Sequence, residues 1–284
     1  MSLVVSLRIP DGIVVAADSL ATSQTMLELV TEGAHVECPH CHKKIGAEGI
    51  RLPPLPIPFS ASSYTQKLFP VRKKFALSTF GLGVINKRTT YYHLHRFERF
   101  NSDGSDLKET IDSLIAYFEE QLLEQFPRYR EEAPEEWHPL GFHIDGFENI
   151  EEEPTAVTYE VYIGRKNTVR RRDQIGCTVG GDIKVIQKLW EIGKEEERLS
   201  FKYHLFSLQD AIDFCEFLVS TASVFQRFAN EVPTIGGEID IALLTPFHAF
   251  QWIRRKELMK RLAESDEGKE KKDSGVYGGE TQSR

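Results

Sequence analysis

The beginning of the chain contains two apolar segments separated by a turn, and this pattern restricts it to folds that start with an antiparallel strand pair. Residues 3–9 alternate with the period of two that is typical of a half-buried strand. The Pro-Asp-Gly at 10–12 favours a turn, and a second apolar run follows over 13–17. That run ends at Asp18, a carboxylate that a buried strand does not need. A local turn is one explanation for this acid, and contact with the start of the chain is the other.

The order of the later elements predicts an α+β protein. Strand-like segments at 67–80, 140–148, 156–164 and 237–246 are interrupted by helical segments at 81–100, 105–126, 180–194 and 207–229. Antiparallel strands near both ends, with paired helices between them, predict two antiparallel sheets packed face to face and flanked by helices. We therefore expect a four-layer αββα sandwich.

One folded domain is expected over residues 1–263. The 284 residues include 40% hydrophobic ones, which is enough for a sizeable core. Within this domain, 26–63 is rich in Gly, His, Cys and Pro, and the prolines at 53–58 cannot continue a helix or a central strand, so this segment is interpreted as an insertion. Residues 264–284 carry few apolar groups and are predicted to form a disordered tail.

The charge of the chain limits its partners. A formal net charge of -8 argues against nucleic acid, because phosphate binding needs a basic face. No segment approaches the roughly 18 apolar residues of a membrane-spanning helix, and the N-terminus does not resemble a secretory signal. We expect a cytoplasmic protein with neither a nucleic-acid nor a membrane partner.

Ser2 is a candidate nucleophile because of its position. It is small enough to permit removal of Met1, which would leave a hydroxyl and a free α-amine on one residue. An α-amine has an ordinary pKa of about 7.7 to 8.0, so it can act as a general base near neutral pH. The predicted hairpin would bring Asp18 back beside Ser2.

Five features occur together in this sequence: Ser2, GIVVAADS at 12–19, QKLFP at 66–70, Gly81, and TIGGEIDIALL at 234–244. This set resembles the proteasome β-type subunits of the N-terminal nucleophile hydrolase superfamily, and in particular the Anbu-like bacterial proteasome-related proteins. The resemblance covers the stretches 2–25 and 64–250. It implies the same αββα sandwich that the order of elements predicts.

The resemblance also implies catalytic roles. Ser2 matches the family's nucleophile, which is usually threonine, and Asp18, sixteen residues later, matches the acid that pairs with a lysine, here Lys67. A nearby ammonium lowers the pKa of the α-amine and the hydroxyl. Gly81, fourteen residues after Lys67, matches the glycine whose backbone N–H faces the developing oxyanion. We therefore expect an N-terminal serine peptidase or amide hydrolase, self-compartmentalised, that acts on a peptide or protein and needs no cofactor for catalysis.

Two segments depart from the family pattern. Where the family often has a serine between glycines, this chain has Thr-Val-Gly-Gly-Asp at 178–182. Where the family often has Asp-x-x-Ser before a Gly pair, this chain has Val-Pro-Thr-Ile-Gly-Gly at 232–237. Thr234 is the hydroxyl that can substitute. The departures leave two other functions open, a small-molecule amidase on the same fold and a catalytically silent scaffold. Retention of Met1 would favour the scaffold, because it would block the amine.

Cys38 and Cys41 have the spacing of a zinc knuckle. Structural zinc usually needs four ligands, and the sequence lacks a second Cys-x-x-Cys. The missing ligands would come from His35, His40, His42 or a neighbouring subunit. The alternative is a relic knuckle that holds no metal, so structural zinc is a hypothesis.

Two predicted helices carry more aromatic side chains than one face of a sandwich can bury. They span 89–100 and 207–228, and their Tyr and Phe residues lie on more than one side. The surplus predicts contacts between subunits. Together with the resemblance it implies a homo-oligomeric ring or spiral.

Overall fold

The computed structural model describes residues 2–27, 35–37, 40–42, 44–46, 55–100, 106–150, 153–191, 201–229 and 232–256. The predicted tail lies outside the described residues, as does part of the predicted insertion.

Sixteen strands are found in the described part of the chain. They are β1 (Leu3–Ile9), β2 (Gly12–Ala17), β3 (Ala21–Leu27), β4 (His35–Glu37), β5 (Lys44–Gly46), β6 (Leu55–Ser62), β7 (Leu68–Val71), β8 (Phe75–Gly81), β9 (Val84–Ile85), β10 (Arg88–Thr89), β11 (Leu140–Ile150), β12 (Glu153–Ile163), β13 (Thr168–Arg172), β14 (Gly176–Gly181), β15 (Asp240–Leu244) and β16 (Gln251–Arg254). The helices are α1 (Thr90–Phe100), α2 (Leu107–Gln125), α3 (Tyr129–Glu132), α4 (Lys184–Trp190) and α5 (Leu208–Phe228), with a 3-10 turn at Tyr203–Leu205.

Two five-stranded antiparallel sheets form the centre of the fold. The first has the strand order β14-β1-β2-β15-β16, and the second has the order β13-β12-β11-β8-β7. The predicted N-terminal hairpin is β1–β2, in which Val4 is paired with Ala17. Both strands lie inside the first sheet, which explains why every residue of each is buried.

Alternation along β1 divides the apolar side chains between two layers. Leu3 and Leu7 face α5, whereas Val4 faces the second sheet. A third apolar layer joins the second sheet to α1 and α2. The structural layers therefore follow the order helices, sheet, sheet, helices, with apolar side chains at each of the three contacts between them. This is the four-layer αββα sandwich, so the predicted fold class is confirmed.

Smaller ribbons account for segments that the sequence pattern did not resolve. The helix predicted over 81–100 begins only at Thr90, because the end of β8 and the short hairpin β9–β10 occupy the preceding residues. Strands β3 and β6 pair outside both sheets, and β6 contains Pro56 and Pro58, as an edge position permits. None of the helices that the structure describes is long and apolar enough to cross a membrane.

Candidate active site

One end of the sandwich collects strand ends from both sheets. In the first sheet, Leu3 at the start of β1 is paired with Gly181 at the end of β14. Ala17 at the end of β2 is paired with Asp240 at the start of β15. In the second sheet, Lys67 directly precedes β7, and Leu68, the first residue of β7, is paired with Ser78 near the end of β8. Side chains from distant parts of the sequence therefore meet at this end.

Asp18 is the central acceptor of this group and is fully buried. Its Oδ1 accepts hydrogen bonds from the Leu3 backbone N at 2.9 Å and from Lys67 Nζ at 2.7 Å. Its Oδ2 accepts from the backbone N atoms of Leu20 at 3.1 Å and Gly236 at 3.0 Å. The bond to Leu20 is local, as in an Asp turn, and the others reach the chain start, the second sheet and a late loop. Both explanations for the acid after β2 therefore apply.

Lys67 is held at this end of the sandwich by two oxygen acceptors. Its buried ammonium donates to Asp18 Oδ1 and to the Leu20 carbonyl oxygen. Burial lowers the pKa of Lys67 below its ordinary value, and the charge of Asp18 opposes this shift. Lys67 therefore releases a proton more readily than an exposed lysine does, while Asp18 fixes its position.

Ser2 is buried where the first sheet begins. Its carbonyl oxygen accepts a hydrogen bond from the Asp182 backbone N at 2.7 Å. Gly181 has a φ of 92°, and a Cβ added there would lie 1.9 Å from the same Ser2 oxygen. Glycine at 181 therefore lets β14 approach the Ser2 carbonyl group closely, and a side chain at this position would collide with it.

A second polar network adjoins Ser2 through Asp182. Asp182 Oδ2 accepts from Thr234 Oγ1 at 2.6 Å and from Gln226 Nε2 at 3.0 Å. Gln226 Oε1 in turn accepts from the backbone N atoms of Thr234 at 2.8 Å and Ile235 at 2.9 Å. The sequence suggested Thr234 as the substitute hydroxyl, and the structure places an acid beside it. Neither Asp182 nor Gln226 was singled out from the sequence, although Asp182 ends the segment that departs from the family pattern.

Sequence reasoning also missed a second buried ion pair. Lys256 Nζ binds Asp240 Oδ2, and the Lys256 backbone N donates to Asp240 Oδ1 at 3.1 Å. Both residues are buried, and both act electrostatically on Lys67. The sequence contained one indication of this pair: Asp240 is an acid at the start of the apolar strand β15, just as Asp18 is an acid directly after the apolar strand β2.

Gly81 ends β8 and has a φ of 100°. A Cβ at this position would lie 2.2 Å from the Pro139 carbonyl oxygen, so the position requires glycine for backbone reasons alone. Of the five predicted catalytic residues, Lys67 and Gly81 belong to the β7–β8 hairpin, and Ser2, Asp18 and Thr234 to the first sheet and its loops. Lys67 donates a hydrogen bond directly to Asp18. Gly236 also donates to Asp18, and it lies two residues after Thr234 in the same loop.

The predicted zinc ligand Cys38 lies outside the described residues. Cys41 and its neighbours His40 and His42 are exposed in a short turn. Among the residues that the structure describes, no three His, Cys, Asp or Glu side chains are grouped as a metal site would require. Zinc binding through Cys38 and Cys41 stays a prediction, which elemental analysis of the purified protein would test.

A buried Ser, His and Asp between the two sheets resemble a hydrolytic triad in composition only. Ser6 Oγ donates to Asp145 Oδ2 at 2.8 Å and lies 3.2 Å from His143 Nδ1. The serine proton therefore points to the aspartate, and His143 Nδ1 is the donor to Ser6. All three are completely buried, so this network supports the core.

No family model matches the sequence, and no curated protein matches it. Among solved structures, the chain is similar to a Gly-1 mutant of Anbu from Hyphomicrobium sp. strain MC1. The identity is 12%, the TM-score is 0.52, and the alignment covers 99% of this chain and 100% of that chain. At this identity the similarity establishes the fold. The chain has the fold of Anbu, as the sequence resemblance implied.

Proposed function

We propose that the protein is an N-terminal nucleophile hydrolase that cleaves amide bonds, with peptides or proteins as its substrates. The observation that carries this proposal is the buried Asp18–Lys67 ion pair, which lies beside the start of β1 in a protein with the fold of Anbu. A buried lysine with a lowered pKa and a fixed carboxylate partner is costly to maintain and is typical of sites that move protons.

The reaction would use Ser2 after removal of Met1. Ser2 Oγ attacks the substrate carbonyl carbon while its proton passes to the Ser2 α-amine. The C–N bond then breaks, and the leaving amine takes that proton. Water then attacks the acyl ester while the α-amine accepts one of its protons. The bond between the acyl carbon and Ser2 Oγ breaks, the acid product leaves, and Ser2 Oγ takes the proton back from the α-amine. Lys67 would stabilise the deprotonated forms of the hydroxyl and amine, and the Gly81 backbone N–H would donate to the oxyanion.

Thr234 and Asp182 would support the Ser2 end of the site. Their hydrogen bond and the bond from the Asp182 backbone N to the Ser2 oxygen link the network to the nucleophile. We assign Thr234 a positioning role, because its hydroxyl donates its proton to Asp182.

The enzyme would work as a homo-oligomer that restricts access to Ser2. Exposed aromatic side chains lie on α1 and α5, which form opposite outer layers of the sandwich. They are Tyr92, Phe100, Phe217, Phe225 and Phe228. Exposed apolar groups of this kind support subunit contacts on both outer faces.

The N-terminal residue and the activity of Ser2 variants test the proposal together. Mass spectrometry of the intact protein should show loss of one methionine, and the protein should hydrolyse fluorogenic peptide amides. Ser2→Ala, which still permits methionine removal, should lose this activity, whereas Ser2→Thr should keep it. Ser113→Ala, on α2 in the outer helical layer, is the matched control and should behave as the native protein.

The alternatives give different results in the same experiment. Uniform retention of Met1 would overturn the hydrolase proposal and leave the scaffold. Loss of Met1 with hydrolysis of small amides but not of peptides would indicate the small-molecule amidase. Hydrolysis that survives in Ser2→Ala would exclude Ser2 as the nucleophile.

A further inference from the structure

The buried ion pair between Lys256 and Asp240 ties the segment after β16 to the start of β15. Lys256 Nζ binds Asp240 Oδ2, and the Lys256 backbone N donates to Asp240 Oδ1 at 3.1 Å. The two side chains are only 2% and 1% exposed. Solvent and salt screen buried charges much less than exposed ones, so each charge of this pair acts strongly on its surroundings.

The register of the first sheet places this pair at the same end of the sandwich as Asp18. Asp240 is paired with Ala17, which directly precedes Asp18 in the chain. Strand β16 runs antiparallel to β15, so Lys256, two residues after β16, returns to the end where β15 begins. Two acids from neighbouring strands, each bound to a buried lysine, therefore lie at the end that contains the candidate active site.

The charges of both pairs act on the Lys67 ammonium. Burial is the main cause that lowers the pKa of Lys67, and Asp18, in direct contact with it, opposes this shift. Lys256 lowers the same pKa further, and Asp240 raises it by less than Lys256 lowers it. The positive end of the second pair therefore acts on Lys67 more strongly than the negative end does.

The direct neutralisation of Asp240 depends on Lys256. In the part of the chain that the structure describes, Lys256 is its ion-pair partner. Arg255 also senses this acid: burial lowers the pKa of Arg255, and the charge of Asp240 opposes that shift. Without the charge of Lys256, Lys67 would be exposed to an acid that has lost its direct counter-charge.

We propose that Lys256 is a positioning residue of the candidate active site, which keeps Asp240 neutralised and thereby controls the protonation of Lys67. In the intact pair the effects of the two charges on Lys67 partly cancel, whereas loss of either charge leaves the other acting alone. The consequence for hydrolysis rests on the proposed function, but the interaction between the charges exists without a substrate.

Titration of Lys67 followed by NMR tests this role directly. In protein labelled with ¹³C at the lysine Cε atoms, the Lys67 signal is the one that disappears in Lys67→Arg. Lys256→Gln should move its titration midpoint to higher pH, because Asp240 then favours the ammonium form. Asp240→Asn should move the midpoint to lower pH, because Lys256 then opposes a second positive charge. A purely structural disturbance would not shift the midpoint in opposite directions.

Three further variants separate charge from folding. The double variant Lys256→Gln with Asp240→Asn leaves no unpaired charge, so it should fold even where a single variant does not. Its Lys67 midpoint should lie above the native one, because the larger effect belongs to Lys256. Lys256→Arg keeps the charge and should restore the native midpoint, and Lys188→Gln, which removes an exposed lysine on α4, is the control and should not move it.

The pH dependence of peptide hydrolysis tests the consequence for the reaction. In the proposed mechanism the Lys67 ammonium stabilises the deprotonated hydroxyl and amine, so kcat/KM should fall as pH rises through the Lys67 midpoint. This alkaline limb should move to higher pH in Lys256→Gln and to lower pH in Asp240→Asn, by the same shifts as the NMR midpoints. Lys188→Gln should keep the native profile.

The two measurements fail in different ways. Shifts of the Lys67 midpoint in the same direction in both single variants, or a native midpoint in Lys256→Gln and in the double variant, would overturn the role of Lys256 whatever the activity. Opposite shifts in a protein that hydrolyses no peptide amide would overturn the proposed hydrolase and support the control of Lys67 by Lys256. An alkaline limb that stays in place while the NMR midpoints move would overturn the link to the reaction.

Discussion

Asp18 shows how one side chain can connect parts of the chain that are distant in sequence. Its two oxygens receive hydrogen bonds from Leu3, Leu20, Gly236 and Lys67. These four bonds use the acceptor capacity of a carboxylate. Among the residues that the structure describes, Lys67 is the only charged partner of Asp18, and its loss would leave the anion buried with neutral donors alone.

We therefore predict that Lys67→Met lowers the free energy of unfolding by about 3 to 5 kcal/mol, because it leaves Asp18 as an uncompensated buried charge. Urea unfolding at neutral pH measures this value. The double variant Asp18→Asn with Lys67→Met should lose less than the sum of the two single variants.

Lys188→Met provides the control, because the Lys188–Glu191 pair is highly exposed and an exposed pair contributes less than about 1 kcal/mol. Equal losses in Lys67→Met and Lys188→Met would mean that the buried pair is not maintained in solution.

His143 and Asp145 make opposite contributions to the pH dependence of stability. Burial lowers the pKa of His143 from 6.5 to about 4, so the folded protein binds fewer protons there than the unfolded chain, and stability from this group is lost as pH falls through that range. Burial raises the pKa of Asp145 from 3.8 to about 6, so the folded protein binds more protons there, and stability from this group is lost as pH rises. The two effects nearly cancel in the native protein.

Single variants should expose each effect. Relative to the native protein, the free energy of unfolding of His143→Gln should fall by roughly 3 kcal/mol between pH 4 and pH 7, and that of Asp145→Asn should rise by a similar amount. Urea unfolding at several pH values measures both. Curves that run parallel to the native one would show that these groups titrate alike in the folded and unfolded chains.

At the scale of elements, Gln226 joins the C-terminal end of α5 to the loop before β15. It accepts two backbone hydrogen bonds from the loop and donates to Asp182 at the end of β14. We predict that Gln226→Leu lowers the free energy of unfolding by about 2 to 4 kcal/mol, because buried N–H groups lose their acceptor. Gln209→Leu removes an exposed Gln209–Asp213 bond on the same helix and should cost less than about 0.5 kcal/mol.

Thermal or urea unfolding compares the two glutamine variants directly. The peptide hydrolysis rate should fall in Gln226→Leu alone, since that variant also disturbs the network beside Ser2. A Gln226→Leu protein as stable as Gln209→Leu would contradict the proposed connection.

Strands with a weak apolar pattern were among the elements missed from the sequence. Strand β13 carries three arginines, β14 is rich in glycine, and β16 is short, and all three lie at sheet edges. Strands β13 and β16 pair with the strands that precede them, β12 and β15, whereas β14 pairs with β1, which is distant in sequence. Segments that are charged, rich in glycine or short have little apolar periodicity, so the sequence pattern alone does not indicate a strand. The β1–β2 hairpin and α5 were recognised because their apolar periodicity is local and strong.

At the scale of the whole molecule, the exposed aromatic residues of α5 predict self-association. Phe225 and Phe228, which line a surface cavity with Val224 and Ala229, are largely exposed. We predict that light scattering gives a mass that is a multiple of 32.4 kDa, and that Phe225→Ser with Phe228→Ser shifts it toward 32.4 kDa, because the apolar contact area is lost.

Phe247→Ser is the matched control for this change, since Phe247 is 90% exposed in the turn between β15 and β16 and does not belong to α5. It should leave the mass of the assembly unchanged. A native mass of 32.4 kDa at micromolar concentration would contradict self-association and weaken the proposal of a compartment around Ser2.

The sequence by itself determined the fold class and the residues that meet in the Asp18–Lys67 pair, because periodicity is local and the resemblance supplied the register. Only the tertiary structure decided which acid stands beside Thr234 and how Lys256 reaches Asp240. These contacts depend on where strand ends and loops meet across the sandwich. The interaction of a buried charge depends on distance in space, and distance along the chain does not determine it.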